Sequence, residues 1–130
     1  MTHKQVELKQ SSDIVAARQA CREMARELGF GSADQTRLAT AVSELARNVI
    51  QYAGEGVCVV TSEPYNETAV ICVVVEDHGP GIADVDKALE PGFTTSGGLG
   101  AGLPGAKRLV HDFELKSRPG HTIVQLKMAS

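Results

Sequence analysis

The chain has 130 residues, of which 42% are hydrophobic and 22% are charged, and its formal net charge is -3. This composition predicts one soluble globular domain over residues 1–130 and gives no reason to expect nucleic acid as a partner. No apolar run approaches the roughly 20 residues that a membrane span needs. The first ten residues contain no apolar segment of the kind found in signal peptides, so no signal peptide is expected. The cysteines Cys21, Cys58 and Cys72 have no paired spacing, which indicates small core residues of a reduced, cytoplasmic protein.

The N-terminal half is predicted to contain a short strand followed by two helices. Residues 4–8 alternate weakly and form the strand, and residues 11–13 offer an N-cap for the first helix. Ser32 or Asp34 can cap the second helix, which ends near Ala53-Gly54. Apolar residues recur at helical spacing in both helices. They are Ile14, Ala17, Cys21, Met24 and Leu28 in the first helix, and Leu38, Val42, Leu45 and Val49 in the second.

The C-terminal half is predicted to contain two hairpins separated by a loop and a third helix. Residues 57–62 and 69–76 form the first hairpin, and residues 112–118 pair with the last strand across a Pro-Gly turn. Between the hairpins come a polar helical turn (84–90), a glycine-rich loop (91–102) and a helix (103–110). Because strands and helices do not alternate strictly, this order predicts an α+β two-layer sandwich. Its sheet is mixed and mostly antiparallel, with the helices on one face.

The end of the predicted strand 69–76 carries a carboxylate, Asp77, followed by His78-Gly79-Pro80-Gly81. A carboxylate at the end of a buried strand is costly unless hydrogen-bond donors reach it. Two hypotheses stay open, because the donors can come from a ligand or from backbone N–H groups of the turn that follows. His78 is expected to face the solvent.

Four glycines lie within residues 97–102, directly before the predicted third helix. Glycine lets backbone N–H groups approach an anion, and a helix N-terminus attracts one. Together with Pro104 in the first helical turn and Lys107 one turn later, this pattern predicts a phosphate site; the alternative is an ordinary surface loop. A literal G-x-G-x-x-G match starts at Gly100, but no strand precedes it, so a dinucleotide-binding fold is rejected.

The second helix carries Glu44 and Asn48 at i and i+4, with Arg47 beside them. This spacing places Glu44 and Asn48 on one helix face, next to the apolar stripe. An asparagine oxygen is a suitable ligand for Mg²⁺, and a nearby glutamate can deprotonate a hydroxyl nucleophile. The alternative is an ordinary solvated helix face.

Three motifs therefore follow one another, Glu44-x-x-x-Asn48, Asp77-x-Gly79-x-Gly81, and the run from Gly98 to Leu103. They resemble the N, G1 and G2 boxes of the GHKL (Bergerat-fold) ATPases and kinases, and the resemblance covers essentially the whole chain. In size and in its local sequence the chain looks most like the small serine/threonine kinases of bacterial partner switching, of the RsbT-type stressosome group. One departure is Gly120-His121-Thr122, where the family often has Gly-Thr-Thr.

The resemblance implies ATP and Mg²⁺ as cofactors and assigns a role to each motif. Glu44 would be the general base, Asn48 would ligate Mg²⁺, and Asp77 would accept a hydrogen bond from the adenine amino group. Gly81 would let the base approach, and Gly98, Gly100 and Gly102 would form a lid over the phosphates. The other implied nucleotide-binding residues are Arg47, Gly79, Ile82, Thr95, Leu99, Ala101, Leu103 and Thr122.

Three functional hypotheses follow. The first is a protein-serine/threonine kinase that phosphorylates STAS-domain proteins of a stressosome and is then released to activate a PP2C-type phosphatase. The second is an anti-sigma factor kinase, which would bind a sigma factor and phosphorylate an anti-anti-sigma protein. The third is a non-catalytic, nucleotide-sensing binding module, against which Glu44 argues, since a pure binder needs no base.

Overall fold

The structure, a computed structural model, describes residues 2–65, 68–81 and 102–130. The elements are β1 (Thr2–Leu8), α1 (Ser11–Glu27), α2 (Ser32–Tyr52), β2 (Gly56–Tyr65), β3 (Thr68–Asp77), α3 (Gly102–Leu109), β4 (Asp112–Arg118) and β5 (His121–Ala129). The five strands form one sheet in the order β1-β2-β3-β5-β4. Each pairing between them is antiparallel, which confirms the predicted α+β fold. No helix within the described ranges is both long and apolar enough to cross a membrane.

The two layers are held together by alternate residues of the central strands. In β3, Ile71, Val73 and Val75 are buried, and the residues between them are half-buried. The buried side chains form one core with the apolar stripes of α1 and α2. Full burial of a valine or isoleucine side chain stabilises the fold by about 1.5–3 kcal/mol, so this shared core fixes which side of the sheet faces the helices. Asp77, at the end of the same alternation, lies on the helix-facing side.

In both long helices the N-cap lies one residue before the first predicted capping residue. The N-cap of α1 is Gln10, and Asp13 lies in the first turn, where its carboxylate accepts hydrogen bonds from the backbone N–H of Lys9 (2.8 Å) and Gln10 (3.1 Å). The predicted cap at residues 11–13 was therefore wrong, because Asp13 bonds backward from inside the helix. The N-cap of α2 is Gly31.

The predicted end of α2 is confirmed. Its last residue is Tyr52, and Ala53 is the C-cap. Gly54 then adopts φ +87° and donates its N–H to the carbonyl of Val49 (3.0 Å). Glycine tolerates this left-handed conformation. The Val49 carbonyl also accepts the N–H of Ala53 (2.8 Å), so one carbonyl accepts two hydrogen bonds at the helix end.

The predicted hairpins are present, and the first is longer than expected. Residues predicted as its turn continue the strands, since Glu63 pairs with Val70 and Pro64 pairs with Ala69. The second hairpin turns at Gly120, which adopts φ +88°. The predicted helical turn at 84–90 and most of the glycine-rich loop lie outside the described residues.

The cysteines divide into two kinds. Cys21 and Cys58 are buried core residues, as predicted, whereas Cys72 is half-buried and accepts a hydrogen bond from Gln125 Nε2 (3.4 Å). The side-chain hydrogen bond with Cys58, followed by burial, raises the pKa of the Cys21 thiol well above its usual value. Burial and the raised pKa both disfavour the thiolate form of Cys21, which is consistent with a packing role.

Candidate functional site

Asp77 ends β3 with only 8% of the residue exposed. One carboxylate oxygen, Oδ1, accepts a hydrogen bond from the backbone N–H of Gly79 at 2.9 Å. No described residue donates a hydrogen bond to the other oxygen, Oδ2. Because an ionised carboxylate can accept several hydrogen bonds, the capping hypothesis is confirmed for Oδ1, and the ligand hypothesis concerns Oδ2.

The turn after Asp77 packs tightly between the end of α2 and the end of β4. A Cβ added at Gly79 would lie 2.5 Å from the Cβ of Ala53, at the end of α2. A Cβ added at Gly81 would lie 2.5 Å from the carbonyl oxygen of Arg118, at the end of β4. Gly81 also adopts φ +87°. These glycines therefore have a packing reason to be small, which does not depend on the expected approach of a base to Gly81.

Replacing Gly81 with Ala is expected to lower the free energy of unfolding by about 1–3 kcal/mol more than replacing Gly120 with Ala. The two glycines share nearly the same backbone conformation, φ +87° and φ +88°, so both variants carry the same left-handed strain. Only Gly81 faces backbone atoms, since a Cβ at Gly120 meets nothing within 4 Å. Urea denaturation of both variants measures the difference. Equal losses of unfolding free energy would contradict the close packing of Gly81 against Arg118.

The polar face of α2 is partly buried. The Glu44 side chain is 10% exposed, and Arg47 Nη1 donates to its Oε1 at 2.7 Å. The Asn48 residue is half-buried, and its side chain makes no hydrogen bond to another described residue. The alternative of an ordinary solvated face is wrong for Glu44. A carboxylate held in this way has a fixed orientation, and its second oxygen has no hydrogen bond within the described ranges.

The helix face and the Asp77 turn lie on the same side of the sheet. A Cβ added at Gly56 in β2 would lie 2.8 Å from Val49 Cγ1 and 3.2 Å from Asp77 Cβ. Val49 directly follows Asn48, and α2 packs over β3. The fold therefore brings the end of the Glu44–Asn48 segment next to Asp77, although no hydrogen bond joins Glu44 or Asn48 to it.

Thr122 lies directly opposite Asp77 in the pairing of β3 with β5 and is 5% exposed. Its hydroxyl is 2.6 Å from Ser117 Oγ on β4. Ser117 was missed in the sequence analysis, although the tight turn at Pro119-Gly120 already places residue 117 opposite residue 122. His121 points to the opposite face and hydrogen-bonds Glu76, so its presence in place of the family's threonine leaves Thr122 undisturbed.

The remaining predicted contacts divide between described and undescribed parts of the chain. Gly102 begins α3 with φ +63°, and Leu103 is buried against the core, so α3 is anchored beside α2. His78 is exposed, as predicted, and its ring stacks on His121 with centroids 5.3 Å apart. The other predicted residues lie outside the described ranges: Ile82, Thr95, Gly98, Leu99, Gly100 and Ala101.

The side chains at this site fit Mg²⁺ that is bound mainly by phosphates and water, rather than a metal ion whose ligands all come from the protein. Within the ranges described, no group of three or more His, Cys, Asp or Glu side chains could hold a metal ion. Mg²⁺ usually keeps several waters and takes few protein ligands, with substrate phosphates supplying others. A half-buried asparagine amide with no hydrogen bond to a described residue fits that pattern.

Comparisons with known proteins agree with this geometry. A family profile described as "Histidine kinase-like ATPase domain" matches residues 8–128. The chain is 54% identical over 108 residues to the serine/threonine-protein kinase RsbT of Bacillus subtilis, covering 83% of this chain and 81% of that protein. It is 35% identical over 92 residues to the anti-sigma F factor of Caldanaerobacter subterraneus subsp. tengcongensis, covering 67% of this chain and 64% of that protein.

A solved structure shows the same fold at low identity. The crystal structure of the RsbU and RsbW domains of Rv1364c from Mycobacterium tuberculosis superposes with a TM-score of 0.65 and 16% identity, over 98% of this chain and 32% of that chain. The 54% identity to RsbT supports protein-serine/threonine kinase activity. The chain belongs to the histidine kinase-like ATPase domain family, the GHKL family, and is a relative of its small serine/threonine kinases.

Proposed function

We propose that the chain is an ATP-dependent protein-serine/threonine kinase of a bacterial partner-switching (stressosome) pathway, acting in the cytoplasm. Its substrates would be STAS-domain proteins, and after phosphorylating them it would be released to activate a PP2C-type phosphatase. The observation that carries this proposal is Glu44, a largely buried carboxylate one helical turn before Asn48 on the helix that contacts the Asp77 turn. A pure nucleotide sensor has no chemical use for a carboxylate in that place.

In this proposal the Asp77 turn selects the nucleotide. Asp77 Oδ2 would accept a hydrogen bond from the adenine amino group while Oδ1 keeps its hydrogen bond from Gly79 N–H. Thr122, directly opposite on β5, adds a hydroxyl at the same position of the sheet. Since Gly79 and Gly81 pack against neighbouring elements, the carboxylate is oriented before any nucleotide arrives, and little ordering is needed on binding.

The phosphoryl-transfer end of the site would be built from α2 and the start of α3. Asn48 would hold Mg²⁺, which neutralises phosphate charge when bound. Glu44 Oε2 would accept the proton of the attacking serine hydroxyl, while Arg47 keeps Oε1 and therefore the whole carboxylate in place. Backbone N–H groups at Gly102 and Leu103 would face the phosphates, as helix N-termini do. Most of the rate enhancement then comes from positioning and charge stabilisation.

The direct test is phosphate transfer to a named substrate. Purified chain, Mg-ATP and a STAS-domain protein encoded in the same genome are incubated, and phosphoserine or phosphothreonine is identified by mass spectrometry. We expect one modified residue on the STAS protein, and then binding of the chain to a PP2C-type phosphatase in a pull-down. Tight ATP binding without transfer to any STAS protein of that genome would favour the nucleotide-sensing module instead.

The second candidate function is an anti-sigma factor kinase. The 35% identity to an anti-sigma F factor favours it, although the 54% identity to RsbT favours the first proposal more strongly. The phosphoryl-transfer residues would be the same, and only the partner would differ. A pull-down from a lysate that recovers a sigma factor, identified by mass spectrometry, would decide for the second candidate.

A further inference from the structure

Three polar side chains lie in a row across neighbouring strands at one end of the sheet. Asp77 on β3 pairs directly with Thr122 on β5, and Thr122 pairs directly with Ser117 on β4. Directly opposed side chains in an antiparallel sheet lie on the same face with Cβ atoms about 4.5–5.5 Å apart. The row therefore runs along the helix-facing side, where Asp77 and Thr122 are buried and Ser117 is half-buried.

The hydrogen bond between Ser117 and Thr122 determines where the hydroxyl proton of Thr122 can point. Ser117 Oγ and Thr122 Oγ1 are 2.6 Å apart, and either oxygen can be the donor. A hydroxyl has one proton and two acceptor lone pairs. If Ser117 donates, the Thr122 proton is free to point elsewhere, and if Thr122 donates, its proton is already used.

The chemistry of adenine distinguishes these two arrangements. On the Watson–Crick edge of adenine an amino donor stands next to a ring nitrogen, N1, that only accepts. When Asp77 accepts the hydrogen bond from the amino group, N1 requires a donor from the neighbouring strand, and Thr122 is the side chain in that position. Guanine reverses both groups, since it presents an acceptor and then a donor there.

We propose that Ser117 is a positioning residue for base recognition. Its hydroxyl donates a hydrogen bond to Thr122 Oγ1, so that the Thr122 hydroxyl donates its own hydrogen bond to N1 of adenine, directly or through one water. This inference rests on the proposed function, because it needs a nucleotide at Asp77. It extends the site to β4, one of the two edge strands of the described sheet. The competing explanation is purely structural, in that the hydrogen bond only fastens β4 to β5.

The test measures dissociation constants for ATP and for 1-deaza-ATP, which lacks the N1 acceptor, by isothermal titration calorimetry. We expect Ser117→Ala to weaken ATP binding about three- to tenfold, the size of one hydrogen bond. The same substitution should leave 1-deaza-ATP binding unchanged. Ser117→Thr, which keeps the hydroxyl, should restore most of the ATP affinity.

A double-mutant cycle separates the positioning role from a structural one. Thr122→Val removes the hydroxyl at constant shape, so Ser117→Ala should have no further effect on ATP binding in the Thr122→Val protein. Additive losses, or equal weakening of ATP and 1-deaza-ATP, would overturn the inference. Wild-type protein that binds neither nucleotide would overturn the proposed function and this inference with it, whereas normal ATP binding by Ser117→Ala would overturn the inference alone.

Discussion

Replacing Glu44 with Gln is expected to reduce phosphate transfer by about 10²- to 10⁴-fold, the usual contribution of a general base. The glutamine side chain has the same shape and can still accept the hydrogen bond from Arg47 Nη1 through its carbonyl oxygen. It cannot take a proton from a serine hydroxyl. The affinity for ATP should change by less than about threefold, since the nucleotide does not depend on that proton.

The same helix offers a matched control for this variant. Arg37 Nη1 pairs with Asp34 Oδ1 at 3.0 Å, with the same i,i+3 spacing as the Arg47–Glu44 pair, in the first turn of α2. Asp34→Asn also replaces the carboxylate of a helical ion pair by an amide, yet it should leave phosphate transfer unchanged. Single-turnover transfer to the STAS protein gives the rates. Equal rates for Glu44→Gln and wild type would show that Glu44 is not the base.

The sequence predicted the parts of the fold that depend on local pattern. Helical spacing located α1 and α2, and strand alternation with turn residues located both hairpins. Capping was harder to predict, because Asp13 can serve as an N-cap or bond backward from the first turn, and the two arrangements have the same local sequence. The length of β2 was underestimated for a similar reason, since Pro64 suggests a turn but stands in a strand here.

The role of a site residue could be predicted where its motif has one physical explanation. It was harder to predict where two physical explanations fit the same residues. Asp77 was expected either to cap its turn or to bind a ligand. The structure shows that Oδ1 caps the turn, while no described residue donates a hydrogen bond to Oδ2. Ser117 carries no motif at all. Its place beside Thr122 follows only from the register of a hairpin, which is a property of two strands together.

Replacing Asp77 with Asn is expected to raise the dissociation constant for ATP by about ten- to a hundredfold, which corresponds to one lost hydrogen bond to a charged acceptor. The amide oxygen of asparagine can keep the bond from Gly79 N–H, so the turn should hold its shape and the free energy of unfolding of the nucleotide-free protein should change little. The amide nitrogen then replaces Oδ2. A donor would face the adenine amino group, which is also a donor.

The base preference distinguishes recognition from simple damage to the site. Guanine has an acceptor where adenine has its amino group, so Asp77→Asn should weaken ATP binding while GTP binding stays the same or improves. His78→Ala is the matched control, because His78 is the next residue, is exposed and points away from the core. Calorimetric titration of both variants with ATP and GTP makes the comparison. If Asp77→Asn kept both the affinity and the preference of the wild type, Asp77 would serve only to cap its turn, and the adenine-binding residue would have to be sought elsewhere on the sheet.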